Sequence, residues 1–400
     1  MTFKRMSSLS SNTFKKRLTD FDHLFSSTGV TPPRYNIGLA PMYGVSTPSL
    51  VSAVLHGGGF AFHGLGDLSA EKAEAEITAI YKKTDKQAPL GINLFSYATS
   101  PFTREQVKRT QNYSKPYWEL FSLEPPDYNY APENRLQEQI KVILDLNVKI
   151  VSCTFGLLPT DLLTQLKKSK VVVGATINNP HEALLAQKNG YDFIVAQSGG
   201  AGGHLGGFSE NHALITDSNA LFKNCRALLG EEMPIFAAGS IRYGYDYLSA
   251  IMNGANAVLM GTQFIITDES EAEPEYKIAL MGKLSDIDPF NTLLNPNITG
   301  KYVRGLPTKL FTESLQWQNV LGYPHMNMYL RELRKKRDNA FSTATWWSGQ
   351  AVVRNELTLA SEIPKIIYEE AIQALRLGDE WADILGGRLS TAGNYAKHRV

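Results

Sequence analysis

The chain has 400 residues, 43% of them hydrophobic and 20% charged, with a formal net charge of +1. That length holds one barrel-sized domain or two smaller ones around a large core, and the near-neutral balance excludes a general attraction to nucleic acid or to an anionic membrane. The two cysteines, Cys153 and Cys225, support neither a disulfide framework nor a metal cluster and read as buried thiols in a reducing compartment.

The first thirty residues carry Lys4, Arg5, Lys15, Lys16 and Arg17 among serines, with Asp20 and Asp22 close behind and no apolar signal core. They read as an amphipathic docking helix. No apolar run approaches the ~20 residues of a membrane span, so a soluble, unsecreted, cytoplasmic protein is expected. Short β-rich runs then recur at residues 35–39, 59–63, 90–95, 149–154, 170–176, 191–197, 234–239 and 256–261. Most are near-continuously apolar, as strands buried on both faces of a parallel sheet are, and helical patterns lie between them. One of those helices opens at Asn179-Pro180 and closes at Asn189-Gly190; another closes at Asn253-Gly254, both in keeping with helix start and stop chemistry. Eight βα steps predict an α/β protein built as a (β/α)8 barrel rather than an open doubly wound sheet. The expected division is an N-terminal extension over 1–30, the barrel over 31–300 and a capping segment over 301–400.

Two stretches exceed a minimal barrel. Residues 96–132 follow the third strand and hold Tyr97, Phe102, Tyr113, Tyr117, Trp118, Phe121, Tyr128 and Tyr130; they form either a lid or pocket wall on the catalytic face or a small cluster that packs on itself. The region from about Lys301 holds Tyr323, Trp346, Trp347 and Gln350, then a helix from Pro364 to Gly378, and is expected to cap the barrel. The basic run Arg334-Lys335-Lys336-Arg337 reads as a solvated helix face.

The best clue to chemistry follows the sixth strand, where Gln197-Ser198-Gly199-Gly200-Ala201-Gly202-Gly203-His204-Leu205-Gly206-Gly207 packs glycine around one imidazole. So many glycines suit a backbone that must approach a ligand closely, with an imidazole that exchanges protons near neutral pH, or else a glycine-rich hairpin with a surface histidine. At the ends of the last two strands, Ala238-Gly239-Ser240 and Met260-Gly261-Thr262 together suggest a phosphate cradle of backbone N–H groups. With Asn93 closing the third strand, a flat ring can lie across the barrel mouth. His63 is expected to be a packed or hydrogen-bonded structural residue, and His56, His181, His212, His325 and His398 show no metal-ligand spacing, so no metal is expected. No dinucleotide-binding Gly-x-Gly-x-x-Gly, Walker loop or Gly-x-Ser-x-Gly elbow is present.

Taken in order, Ala40-Pro41-Met42 with Gly44 and Ser46-Thr47-Pro48, Ala196-Gln197 leading to Ala201-Gly202-Gly203-His204 and Gly206, Ala237-Ala238-Gly239, Gly254-Ala255, Met260-Gly261-Thr262-Gln263-Phe264, and Glu269-Ser270 before Tyr276-Lys277 resemble the FMN-dependent nitronate monooxygenases, once called 2-nitropropane dioxygenases. The resemblance runs from about Asn36 to Gln350, and Val151-Ser152, Phe155-Gly156 and Trp347-Ser348-Gly349-Gln350 point to the class I branch. It implies FMN bound by Asn93, Gln197 and Gly202, its phosphate held by Gly239, Ser240 and the run Leu259, Met260, Gly261 and Thr262, and Met42 beneath the ring through its backbone. His204 would be catalytic. The implied reaction is oxidation of an alkyl nitronate, such as propionate 3-nitronate, by O2 to a carbonyl compound and nitrite, with His204 as base toward a neutral nitroalkane or as a group that orients or protonates the nitro oxygens. The expected partners are that small molecule and O2, with neither nucleic acid nor membrane, in a monomer or homodimer.

The chain departs from the family pattern in several places. Gly200 stands where glutamate is usual, Ser198 and Ser240 replace glycines, Leu259 replaces glutamine, and Thr154 falls where some class I members have histidine. The alternative reading is an FMN-dependent NAD(P)H reductase of the enoyl-thioester or quinone reductase type; a catalytically silent flavin-binding module is a further one.

Overall fold

Eight parallel strands close into a barrel in the computed structural model, which describes residues 11–99, 101–126, 135–209, 217–336, 343–350 and 358–378. The staves are β1 (Ile37–Leu39), β2 (Phe60–Gly64), β3 (Leu90–Phe95), β4 (Ile150–Thr154), β5 (Val172–Ile177) and β6 (Phe193–Gln197). A two-residue strand outside the barrel, β7 (Gly203–His204), follows, and β8 (Ile235–Ala238) and β9 (Ala257–Met260) complete the ring. Closure comes from β1 on β9, with Ile37 opposite Val258 and Leu39 opposite Met260. All eight predicted strands are present, their ends displaced by one or two residues at most.

The staves are buried along nearly their whole length, which is why they read as apolar runs. Inside the ring, Phe60, Phe62, Phe193 and Phe236 are each at most 1% exposed and fill the lower barrel. Small residues on neighbouring staves leave them room: a Cβ on Gly38 would stand 2.6 Å from the Phe60 ring, and one on Gly174 only 2.2 Å from Phe193. The helix Ser11–Ser26 seals the floor. Its Phe21 ring meets Phe60 and Phe236 edge-on at 5.4 and 5.6 Å, and buried Arg17 grips Glu231 at 2.9 Å and the Ile251 carbonyl at 3.0 Å. With the lower end packed by aromatic rings, the barrel offers a ligand room at the C-terminal ends of its staves.

The segment after β3 is chiefly the helix Arg104–Leu120, opened by a reciprocal Thr103–Gln106 capping box. Its described aromatics pack on the C-terminal region. Tyr117 and Trp118 bury against Leu310, Phe311, Trp317 and Met326 of the C-terminal region, and Tyr113 stacks on Trp317 at 5.7 Å. One feature escaped the sequence reading: β10 (Leu293–Asn295) and β11 (Val303–Gly305) form an antiparallel sheet with β7, in which Val303 lies opposite His204. Strands of two or three residues show no periodicity to detect. Residues 363–378 are helical. Lys4, Arg5, Tyr128, Tyr130, His212, Arg337 and His398 lie outside the described residues. Among the described residues no helix is long and apolar enough to cross a membrane, and no cluster of three or more metal-ligating side chains occurs.

Candidate active site

A cavity of about 470 Å³ opens at the C-terminal ends of the staves. Met42, Asn93, Gln197, Gly202, His204, Gly239, Ser240, Leu259, Met260, Gly261 and Thr262 all line it, so the residues that the resemblance assigns to the flavin and to catalysis reach one space. Asn93, 2% exposed, donates from Nδ2 to Ser152 Oγ and Thr154 Oγ1, both at 2.9 Å. Thr154 in turn meets Thr176 Oγ1 at 3.3 Å, so the position where a histidine was considered carries an uncharged hydroxyl ladder.

The glycine loop is shaped by amide side chains beneath it. Gln197 donates from Nε2 to the His204 carbonyl at 2.9 Å and accepts from the Gly206 amide at 2.7 Å. Asn178 buttresses Gln197 through its Nδ2 at 3.1 Å. Buried Glu182 accepts from the Asn178 and Phe208 amides at 2.6 and 2.7 Å and also from Ser209. A carboxylate spending its lone pairs on backbone N–H groups fixes the end of the loop.

On the opposite rim, β8 runs into Gly239 at φ +99° and Ser240 at φ +57°, a left-handed pair that turns the backbone amides toward the cavity. A Cβ on Gly239 would meet Ser198 Oγ at 2.5 Å. The N–H groups of Gly239, Ser240, Gly261 and Thr262 have no acceptor among the described residues, which is the donor set that a phosphate dianion requires. The two departures at Gly200 and Ser240 prove to be physically linked. Ser240 Oγ donates to the Gly200 carbonyl at 3.2 Å, and a Cβ on residue 200 would stand 2.2 Å from that oxygen. With serine at 240, a side chain at position 200 requires the Ser240 hydroxyl and the Gln350 amide to move aside.

Met42 sits on a turn closed by the Val45 and Ser46 amides, 2.9 and 2.8 Å from its carbonyl. His63 lies behind this turn, outside the cavity lining, with Nδ1 donating to the Ser46 carbonyl at 2.6 Å and Nε2 2.9 Å from Glu76. It is the structural histidine expected.

His204 is ringed by aromatics: Phe155 at 5.3 Å, Tyr323 at 5.9 Å and Trp347 at 6.0 Å between ring centroids. Its Nε2 is 2.8 Å from Thr299 Oγ1. Burial, reinforced by the charges of Arg334 and Lys301, pushes the imidazole down to about 3, so it is neutral at ordinary pH. The strap 346–350 crosses the mouth beside it. Gln350 N donates to the Gly200 carbonyl at 2.9 Å and Gly349 N to Thr262 Oγ1 at 3.1 Å, while the Tyr276 hydroxyl holds the Trp347 carbonyl.

Arg135, Arg331 and Arg334 also line the cavity, and sequence reasoning missed all three. Arg334 contradicts the solvated-face reading of its basic run: among the run's described residues Lys335 and Lys336 are exposed, while Arg334 is half-buried and lines the cavity. The short helix His325–Tyr329 and the 3-10 turn Leu333–Lys335 aim Asn327, Arg331 and Arg334 at the pocket. A spacing of four and then three residues was the available signal. Asp67 stands at the same mouth, accepting from Tyr97 Oη at 3.3 Å; burial holds its carboxyl above the usual range.

The nitronate monooxygenase family model matches residues 27–369. A probable nitronate monooxygenase of Staphylococcus saprophyticus is 30% identical over 352 residues, 84% of this chain and 97% of that protein. Among solved structures, the nitroalkane oxidase from Streptomyces ansochromogenes superposes with a TM-score of 0.79 at 26% identity, covering 90% of this chain and 99% of its own. FabK from Thermotoga maritima, at 22% identity and a TM-score of 0.67 over 91% of this chain and 98% of its own, shares the fold. On the match of that model across most of its length, the chain belongs to the nitronate monooxygenase family of flavin-dependent oxidoreductases.

Proposed function

We propose that the protein binds FMN and oxidises alkyl nitronates, propionate 3-nitronate among them, with O2 to a carbonyl compound and nitrite. The observation that carries this reading is the meeting, in one cavity, of a rim of unshared backbone N–H groups and a neutral imidazole backed by cations. The residues fit FMN. Gly239, Ser240, Leu259, Met260, Gly261 and Thr262 would hold the phosphate, Asn93, Gln197 and Gly202 the ring, and the Met42 turn would support it from below. FMN held there would supply the redox chemistry, electron transfer from the substrate to O2.

The chain's own part is to bind and orient the anion. Arg331 and Arg334 at the mouth, together with Lys301, which with Arg334 acts on His204, favour a nitronate over its neutral nitroalkane. Arg331 and Arg334 also provide for a second anionic group such as a carboxylate, which supports propionate 3-nitronate within the class. The aromatic frame of Phe155, Tyr323 and Trp347 excludes water around His204. The test is aerobic assay of the purified yellow protein with propionate 3-nitronate and small alkyl nitronates, read as nitrite release and O2 uptake. Rapid reduction of its flavin by NADH or NADPH, with no nitrite from any nitronate, would overturn the reading in favour of a reductase.

A further inference from the structure

We infer that Thr299 is a positioning residue that fixes the tautomer of His204, protonated on Nε2, and thereby makes Nδ1 the nitrogen that accepts a substrate proton. The inference deepens the proposed function and rests on His204 being the group that meets the substrate.

Thr299 Oγ1 lies 2.8 Å from His204 Nε2 and donates to the Lys301 carbonyl at 3.2 Å. A threonine hydroxyl has one proton and two lone pairs. Given to the Lys301 carbonyl, that proton leaves Oγ1 an acceptor, and Nε2 must then carry the hydrogen. The reverse assignment, with Oγ1 donating to an unprotonated Nε2, keeps only one of the two bonds. Thr299 is 0% exposed, where forfeiting a bond is most costly. His204 lines the cavity, and with Nε2 committed to Thr299, Nδ1, which makes no hydrogen bond to a described residue, is the ring nitrogen left for a ligand there. Its lone pair is thus presented to the substrate.

The position of Thr299 is itself set by backbone packing. Gly300 next to it has φ +84°, and a Cβ there would stand 2.2 Å from Gly322 C and Tyr323 N. Only glycine allows that approach, and the Tyr323 amide then donates to the Gly300 carbonyl at 3.1 Å. The same contact brings Tyr323 against His204 at 5.9 Å. In this arrangement His204 can take an α-proton from a neutral nitroalkane on Nδ1. The C–H electron pair stays on the substrate as nitronate, the proton forms an N–H bond, and the imidazolium keeps Nε2–H on Thr299.

The test is nitrogen NMR of the holoenzyme labelled with 15N-histidine at pH 7, with His204→Asn identifying the resonance. The expected pattern is that of the Nε2–H tautomer in the wild type and in Thr299→Ser. Thr299→Val should lose it, either to the Nδ1–H form or to a mixture. Deuterium loss from deuterated nitroethane should fall at least tenfold in Thr299→Val and recover in Thr299→Ser if the wild type catalyses it. An Nδ1–H or imidazolium signal in the wild type would overturn the inference, with or without a folded valine variant, as would an unchanged tautomer in Thr299→Val. A correct tautomer in a protein that releases no nitrite would instead count against the proposed function alone.

Discussion

Replacing Gly200 with alanine should disturb the cofactor rim, and removing the Ser240 side chain should relieve it. Gly200 has no positive φ among the backbone exceptions, so alanine meets no backbone penalty there and the whole effect is steric. Its Cβ would stand 2.2 Å from Ser240 Oγ, 3.4 Å from Ser240 Cβ and 2.9 Å from Gln350 Oε1. Ordinary contact needs about 1 Å more from Ser240, which cannot rotate away without giving up the Gly200 carbonyl and moving a rim residue held at φ +57°. Overpacking of this kind costs about 1–3 kcal/mol. If the strain falls on the rim, FMN affinity drops by roughly 5- to 150-fold. Ser240→Gly frees the space and suits the left-handed backbone, leaving only the movable end of Gln350. The double variant should therefore bind FMN far better than Gly200→Ala, with a coupling of about 1–2 kcal/mol across the four proteins. The assay is fluorescence titration of each apoprotein with FMN. Affinities that simply multiply would refute the steric link, as would Gly200→Ala binding FMN as tightly as the wild type.

His204→Asn should keep FMN while nitroalkane turnover falls by ~10²–10⁴, read as O2 uptake. The same variant bears on acid stability: folding lowers the imidazole to about 3, so the unfolded chain binds its proton first as pH falls below about 6.5. Stability is thus lost between about 6.5 and 3, and urea melts of His204→Asn should show a shallower decline over that window than the wild type. Gly261→Asp places a carboxylate at the rim, with its Cβ 3.3 Å from Met42 Sδ; repulsion of a few kcal/mol should weaken FMN by roughly 10²-fold, and a fully flavinylated variant would remove this rim from the site. Arg331→Met should raise KM for propionate 3-nitronate at least tenfold and leave ethylnitronate within a few-fold, measured as nitrite release from each.

The barrel was legible because its staves are buried on both sides and therefore spell continuous apolar runs, bounded by the Asn-Gly helix ends. The rim was legible for a related reason: Gly239, Gly202 and Gly261 sit where a backbone must come close to something else, and glycine marks such places. His204 stood out as the one imidazole among them. The cationic wall was not legible. Arg331 sits in the turn between the short helix and the 3-10 turn that carries Arg334, and the direction of both is set by the packing of Met326, Tyr329 and Leu330 against Tyr117 and Trp118, a contact between distant parts of the chain. Thr299 was hidden likewise, since its meeting with His204 depends on the β7–β11 pairing, which two-residue strands do not announce. The aromatic segment after β3 left two readings open. Its described rings pack on the C-terminal region, and among them Tyr97 lines the cavity.

The central claim is that the β8 and β9 rims grip the phosphate of a flavin presented to His204. It is tested most directly by titrating the apoprotein with FMN and with riboflavin, which differ only in that phosphate. Two or more charge-assisted bonds at about 1.5–3 kcal/mol each predict FMN binding at least ~100-fold tighter. Equal affinity for the two, or no binding of either, would contradict the account.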